Sequence, residues 1–365
     1  VALATALALG AVAAVVTLGG DEQPPPAKPS AVAGLAPRPL AGQRLIAGWK
    51  GAAPPAGLRR LIAGGGVAGV ILFEDNLRSG GRARRTIERL QAIRRPPGLE
   101  APLLVMVDQE GGAVRRLPGP PIPSAAEMGA RGREYATRRG RATARSLAGI
   151  GFNVDLAPVL DVARPGSAIG REGRAFGGRP GLVIDAGVDG FALGLAAGGP
   201  IAATAKHFPG LGAAAANTDL AAQRITLSAA ELRRSDAPPF AAFAEAGGEI
   251  VMLSLATYPA FADRPAAFSK RVVEGELRDR TGFDGVTITD ALDAAAATSF
   301  GPRPRVALAA VGAGNDLLLY PDWRAARATG DLLSGRLRSG QLDRSGFERA
   351  AGRVLGLRGR LSATG

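Results

Sequence analysis

The chain has 365 residues, 46% hydrophobic and 21% charged, which is enough apolar material for a large core and excludes a disordered polyelectrolyte. It has no cysteine and a single histidine, His207, which excludes disulfides, a thiolate or His/Cys metal site and a cysteine nucleophile. The formal net charge of +13 would suit nucleic acid, anionic lipid or an acidic polymer. However, the arginine-rich stretches Arg82–Arg95 and Arg131–Arg145 fall where helices are expected, and no nucleic-acid motif accompanies them. They read as solvated helix faces, and no nucleic-acid partner is expected.

Residues 1–20 are an uninterrupted run of apolar and small residues. At about 1.5 Å per residue the run would span about 30 Å as a helix. It reads as a signal-peptide core or as an uncleaved membrane anchor, and both imply export, with possible membrane association through the anchor. A buried helix of the fold is a third reading. Residues 21–40, with their PPPAKP core, read as a stiff, disordered Pro-rich spacer. One folded domain is expected over residues 41–365.

Within that domain, short β-branched runs alternate with stretches of helical period. Strands are predicted at Arg44–Trp49 and Val67–Phe73, then a helix at Ala83–Arg95 and a strand at Pro102–Val107. A helix follows at Glu134–Ala148, a strand at Phe152–Leu156, a helix at Pro180–Ala197 and a strand at Ile201–His207. Further strands are predicted at Glu249–Leu255, Gly285–Thr289 and Asn315–Leu319, with helices at Ser269–Thr281 and Arg303–Ala313 between them. Continuous apolar strands separated by helices argue for a parallel sheet covered on both faces. Eight such units fit an α/β fold of the (β/α)₈ TIM-barrel class. A doubly wound open sheet is the alternative, but no glycine-rich phosphate loop follows the first strand. The segment after Tyr320 is predicted to be a helical C-terminal extension packed across the barrel.

Chemistry in such a barrel sits at the C-terminal ends of the strands. There the sequence sets Glu74 and Asp75, the string Asp108-Gln109-Glu110-Gly111-Gly112, Asp161, Arg174, the pair Lys206-His207, and Asp290. A polar residue after a strand is ordinarily a cap or turn former, but several at one end of one barrel argue for a site. Asp290 ends the run Gly285–Thr289, and a carboxylate at a barrel mouth can attack an anomeric carbon. Asp108, Arg174, Lys206 and His207 can grip sugar hydroxyls through charge-assisted hydrogen bonds. A Schiff base on Lys206 is a different chemistry, and it would need a desolvated lysine of lowered pKa.

These residues stand in strings that resemble glycoside hydrolase family 3, in its β-N-acetylhexosaminidase branch. The strings are GQRLIAGWKG, GVILFEDN, VDQEGGAVRRL, GFNVDLAPVLDV, GRAFG, KHFPGLG, PAAFS and GFDGVTITDAL, spread from Gly42 to about Leu319. The resemblance implies a (β/α)₈ barrel that usually stands alone, acts as a monomer without metal or organic cofactor, and hydrolyses with retention through a covalent intermediate. Its substrate would be a glycan, cell-wall or related, ending in β-linked N-acetylhexosamine. Asp290 matches the family's nucleophile, and Asp108, Arg174, Lys206 and His207 match its sugar ligands. One position departs from the pattern. The family's mobile loop carries Asp-Ser-His, whose histidine is the acid/base, whereas this chain has Asn217-Thr218-Asp219. Asp219 is then the candidate acid/base, with Glu110 or Glu172 as alternatives. A glycan-binding protein of the envelope with little or no turnover is the other reading.

Overall fold

Eight short strands carry the architecture: β1 Leu45–Ala47, β2 Gly69–Ile71, β3 Leu104–Val107, β4 Val154–Asp155, β5 Ala202–Phe208, β6 Ile250–Leu253, β7 Val286–Thr289 and β8 Leu318–Tyr320. Each lies within one of the predicted runs or extends it by one residue. Their hydrogen-bonded order is β7-β6-β5-β4-β3-β2-β1-β8, with every pair parallel. The ring closes between β7 and β8 through a single bridge, Ile288 to Leu317. There the Leu317 N–H donates to Thr287 O at 2.8 Å and the Thr289 N–H to Leu317 O at 3.0 Å. This is a (β/α)₈ barrel, and the doubly wound alternative falls because the sheet has no open edge at β7 and β8. The computed structural model describes residues 32–77 and 80–363, and residues 31–365 form one compact unit.

Strand parity sorts the core into two layers, because successive side chains point to opposite faces. Leu104, Met106, Ala202, Ile250, Met252, Val286 and Ile288 fill the inside of the barrel. Val105, Val107, Ala203, Ala205, Val251 and Leu253 face the helices. Two helices follow β8, Trp323–Arg338 and Arg344–Ala363, as the helical extension expected after Tyr320. The second sends Val354 and Leu357 into the inner layer, so it stops one end of the barrel.

That stopper is fixed by Asp316, in the turn before β8, which is fully buried. Its carboxylate takes Arg278 Nη2 at 2.8 Å, Arg353 Nη2 at 2.7 Å and the Thr287 N–H at 2.9 Å. One side chain thus ties β7, the wide-turned helix Arg271–Asp279 and the last helix together.

The apolar run 1–20, with its anchor or leader reading, lies outside the described residues. Among the described residues no helix is long and apolar enough to cross a membrane. The spacer expected through residue 40 gives way to packed chain by Val32. Val32, Leu35 and Leu40 are buried, a helix begins at Pro37, and Arg344 Nη2 donates to Leu35 O at 2.8 Å. Three apolar side chains in the AVAGLAPRPL stretch supply the burial that a spacer lacks.

Removing one partner of a buried charge network leaves the others desolvated and unpaired. Asp316→Ala is therefore expected to lower unfolding free energy by about 3–5 kcal/mol, read by urea denaturation. A change within about 0.5 kcal/mol would mean that Asp316 does not hold the stopper.

Candidate active site

At the end of the barrel opposite the stopper, a cavity of about 550 Å³ opens over the strand C-termini. Strand parity explains its lining. The positions that continue the inner layer past Met106, past Ala202 and Thr204, and past Ile288 are Asp108, Lys206 and Asp290. All three line the cavity, with Met252 and Leu319 beneath. The alternation that fills the interior with apolar side chains therefore delivers charge where the barrel opens.

The charges are paired. The buried Lys206 ammonium sits 2.8 Å from Asp108 Oδ1 and 2.7 Å from Glu110 Oε1. Arg174 holds Glu110 as a fork, with Nε to Oε2 and Nη2 to Oε1 both at 2.8 Å. Glu172 lies 3.4 Å from the same guanidinium. Burial opposes the charge on Glu110, but Arg174 and then Lys206 outweigh it, so its carboxyl stays far below the usual range. Burial likewise opposes the Lys206 charge, and Asp108 and Glu110 outweigh it, holding the ammonium above the ordinary lysine range. Two sequence alternatives fail on this geometry: Glu110 is no proton donor, and Lys206 is not the neutral amine a Schiff base requires.

Local structure sets this knot. Glu110 stands on the hairpin Gln109–Gly111/Val114–Arg115. The hairpin's turn needs glycine, since Gly111 has φ +101 and a Cβ there would lie 2.2 Å from Pro123 O. Asp155, fully buried on β4, accepts the Gln109 N–H at 3.0 Å and so fixes the peptide that follows Asp108. Arg174 follows the short helix Ala168–Arg171, capped by Ser167, and its N–H donates to Ile169 O at 3.0 Å.

Regular alternation would send Lys206 and His207 to opposite faces, yet both line the cavity. The register against β6 shifts between Lys206 and Phe208, and such an irregularity re-aims a side chain. His207 Nδ1 lies 2.8 Å from Asp161 Oδ2, while Asp161 Oδ1 accepts the His207 N–H at 3.1 Å and the Leu211 N–H at 2.6 Å. A carboxylate partner assigns the proton to Nδ1. The sequence marked Asp161 as a polar residue at a strand end. Its role as the brace of His207 depends on a contact 46 residues away in the chain.

Asp290 is half-buried on the cavity wall. Its carboxylate accepts the N–H of its neighbour Ala291 at 2.7 Å. The following helix, Ala295–Phe300, starts from Ala294 with no side-chain cap, so Asp290 is not consumed as a helix cap. Asp219 lines the same cavity from the loop after β5. That loop is tied to the Asp290 loop, since Ala295 N–H donates to Asp219 O and Ala296 N–H to Thr218 O, both at 3.2 Å. Asn217 Oδ1 turns the chain by accepting the Asp219 N–H at 2.9 Å. Much of Asp219 stays wet, but the cavity wall and the nearby negative charge of Asp290 raise its carboxyl above the usual range, against His207 and Arg174. Asp293, three residues past Asp290, also lines the cavity. The sequence reading passed over it because it belongs to no strand end. Among the described residues no cluster of His, Cys, Asp and Glu is suited to a metal ion.

The sequence of this barrel matches the glycosyl hydrolase family 3 N-terminal domain over residues 43–357. An uncharacterized secreted glycosyl hydrolase of Arthroderma benhamiae is 37% identical over 333 residues, covering 88% of this chain and 93% of the relative. A β-hexosaminidase of Thioalkalivibrio sulfidiphilus is 36% identical, covering 72% of this chain and 75% of the relative. Among solved structures, a β-N-acetylhexosaminidase of Beutenbergia cavernae superposes with a TM-score of 0.83 at 30% identity, over 89% of this chain and 99% of that one. A family 3 β-N-acetylglucosaminidase of a Paenibacillus species reaches 0.85 at 32% identity over 91% of this chain, which spans 64% of that longer protein. With the barrel, its order of strands and nearly the whole folded sequence in common, the chain belongs to glycosyl hydrolase family 3 and is by that membership an O-glycosyl hydrolase.

Proposed function

We propose that the protein removes terminal β-linked N-acetylhexosamine from a glycan with retention of configuration. Asp290 is the nucleophile and Asp219 the acid/base. The names and overlap of the relatives support the substrate class. The observation that carries the mechanism is the pairing of two carboxyls in one cavity, one of them raised by burial and then by the charge of the other.

The terminal sugar sits against Asp108, Arg174, Lys206 and His207. Glu110 and Asp161 do not reach for it; they hold Arg174, Lys206 and His207 in place. Asp290 attacks the anomeric carbon as the bond to the leaving oxygen breaks, and Asp219 gives that oxygen its proton. The glycosyl ester that results leaves Asp290 uncharged. One of the causes that raised Asp219 is then gone, so its carboxyl falls toward the ordinary range and stays ionised, ready to act as the base. It takes a proton from water, which attacks the ester and releases the sugar with its original configuration. Retention calls for carboxyls about 5–5.5 Å apart at reaction, and the backbone bonds between the two loops favour such an approach. The family match and the hexosaminidase relatives favour turnover over the binding-only reading, and we assign the missing histidine's task to the carboxylic acid at that position. We also read the protein as exported, on the apolar run at residues 1–20 and the secreted fungal relative. A cell-wall glycan is one substrate consistent with that location.

Asp290→Asn is expected to lower kcat/KM by roughly 10⁴-fold or more on every substrate. Asp219→Ala should cost about 10²–10⁴-fold on a natural N-acetylglucosamine oligosaccharide. It should largely spare an aryl N-acetylglucosaminide, whose leaving group needs no proton. Equal losses on both substrates would remove Asp219 from the role of acid.

The pH dependence has a defined sign. The acid must hold its proton, so kcat/KM on the oligosaccharide should fall as pH rises through the raised pKa of Asp219, above the ordinary carboxyl range. In Asp219→Ala, the residual kcat/KM on the oligosaccharide should lose that alkaline fall while keeping the acidic one. An unchanged alkaline limb in the variant would assign it to another group.

A further inference from the structure

The wall of the cavity carries more negative charge than the sugar grip uses. Lys206 and Arg174 are matched by Asp108 and Glu110. Beyond that knot the lining holds five further carboxylates, Asp75, Glu172, Asp219, Asp290 and Asp293, against two cations, Lys50 and Arg116. Arg116 is already engaged, with Nη1 at 2.8 Å from Glu74 Oε1. Glu172 has a share of Arg174, whereas among the described residues Asp219, Asp290 and Asp293 have no ion-pair partner. Asp219 and Asp293 come from two different loops and both feel the charge of Asp290. For Asp293, burial is the main cause that raises its carboxyl; Arg303 opposes it, and Asp322 and Asp290 add to it. Even when Asp219 carries its proton as the acid, at least two negative charges are in excess on this wall.

That sign is opposite to the chain's own +13. The arginines on the outer helices are exposed and screened over about 8 Å at physiological salt. Inside a partly dry cavity the near carboxylates act at shorter range and lower dielectric, so they decide the local potential.

We infer that this cavity, through its excess of carboxylates, selects a cationic aglycone, an amino sugar whose amine is free, over an aglycone that bears a carboxylate. The inference rests on the hydrolase reading above and narrows it. An ammonium entering the cavity offsets the unpaired charges of Asp290 and Asp293, and a carboxylate adds to their repulsion. A neutral N-acetylated unit falls between the two.

The test compares kcat/KM of the whole protein on three disaccharides with N-acetylglucosamine β-linked to glucosamine, to N-acetylglucosamine and to N-acetylmuramic acid. An uncharged aryl N-acetylglucosaminide serves as reference. Two excess charges at about 7 Å should favour the aminated over the carboxylated substrate by about tenfold or more at low salt. The neutral one should be intermediate, and the ratio should shrink toward one near 0.5 M salt, where the screening length is only about 4 Å. Asp293→Asn should narrow the low-salt ratio by about twofold to threefold. Aryl hydrolysis combined with equal or reversed rates on the charged disaccharides overturns the inference and leaves the hydrolase reading intact. So does a ratio that ignores salt. Absence of aryl hydrolysis brings down the hydrolase reading, and this inference with it.

Discussion

A buried pair, Glu110 and Lys206, and their half-buried partners Arg174 and Asp108 form one charge knot, and the rest of the site is arranged around it. Taking four charges out of water is expensive, and only near-ideal geometry offsets the loss. The fork between Arg174 and Glu110 supplies that geometry, with two parallel hydrogen bonds at 2.8 Å. The result is a set of donors fixed before substrate arrives, which lowers the cost of ordering side chains on binding. It also explains why Glu110 is no proton donor: a carboxyl held charged by two cations cannot deliver a proton at neutral pH. In the proposed reaction the acid is instead a group raised by its surroundings, Asp219, which lines the same cavity as Asp290.

The barrel was legible in the sequence because its strands are continuous apolar runs of the right length, and all eight predicted runs contain a strand. Parity made part of the site legible too. Asp108, Lys206 and Asp290 fall on the inward register of their strands, and that register can be counted from Met106, Ala202 and Ile288. What the sequence hid is of two kinds. Asp161 and Asp155 act through contacts about 46 residues distant in the chain, which no local pattern encodes. Asp293 lies in a loop whose path is set by packing rather than by period. The start of the fold was hidden for a similar reason: Val32 and Leu35 look like spacer until the last helix is present to cover them.

The two ends of the barrel divide the work. At one end Asp316 gathers arginines and the final helix seals the interior. At the other end the same inner layer finishes in charge and opens into the cavity. Stability residues and site residues therefore occupy separate places, and the loop that carries Asp219 can vary without disturbing the stopper.

The proposed reaction passes through a covalent bond between Asp290 and the sugar. Incubation with a slow-turnover N-acetylglucosaminide carrying a fluorine on the ring and a good leaving group, followed by proteolysis and mass spectrometry, tests it directly. One added glycosyl unit is expected on the peptide that contains Asp290. A label on another residue, or hydrolysis that runs to the opposite anomer with no label, would contradict it.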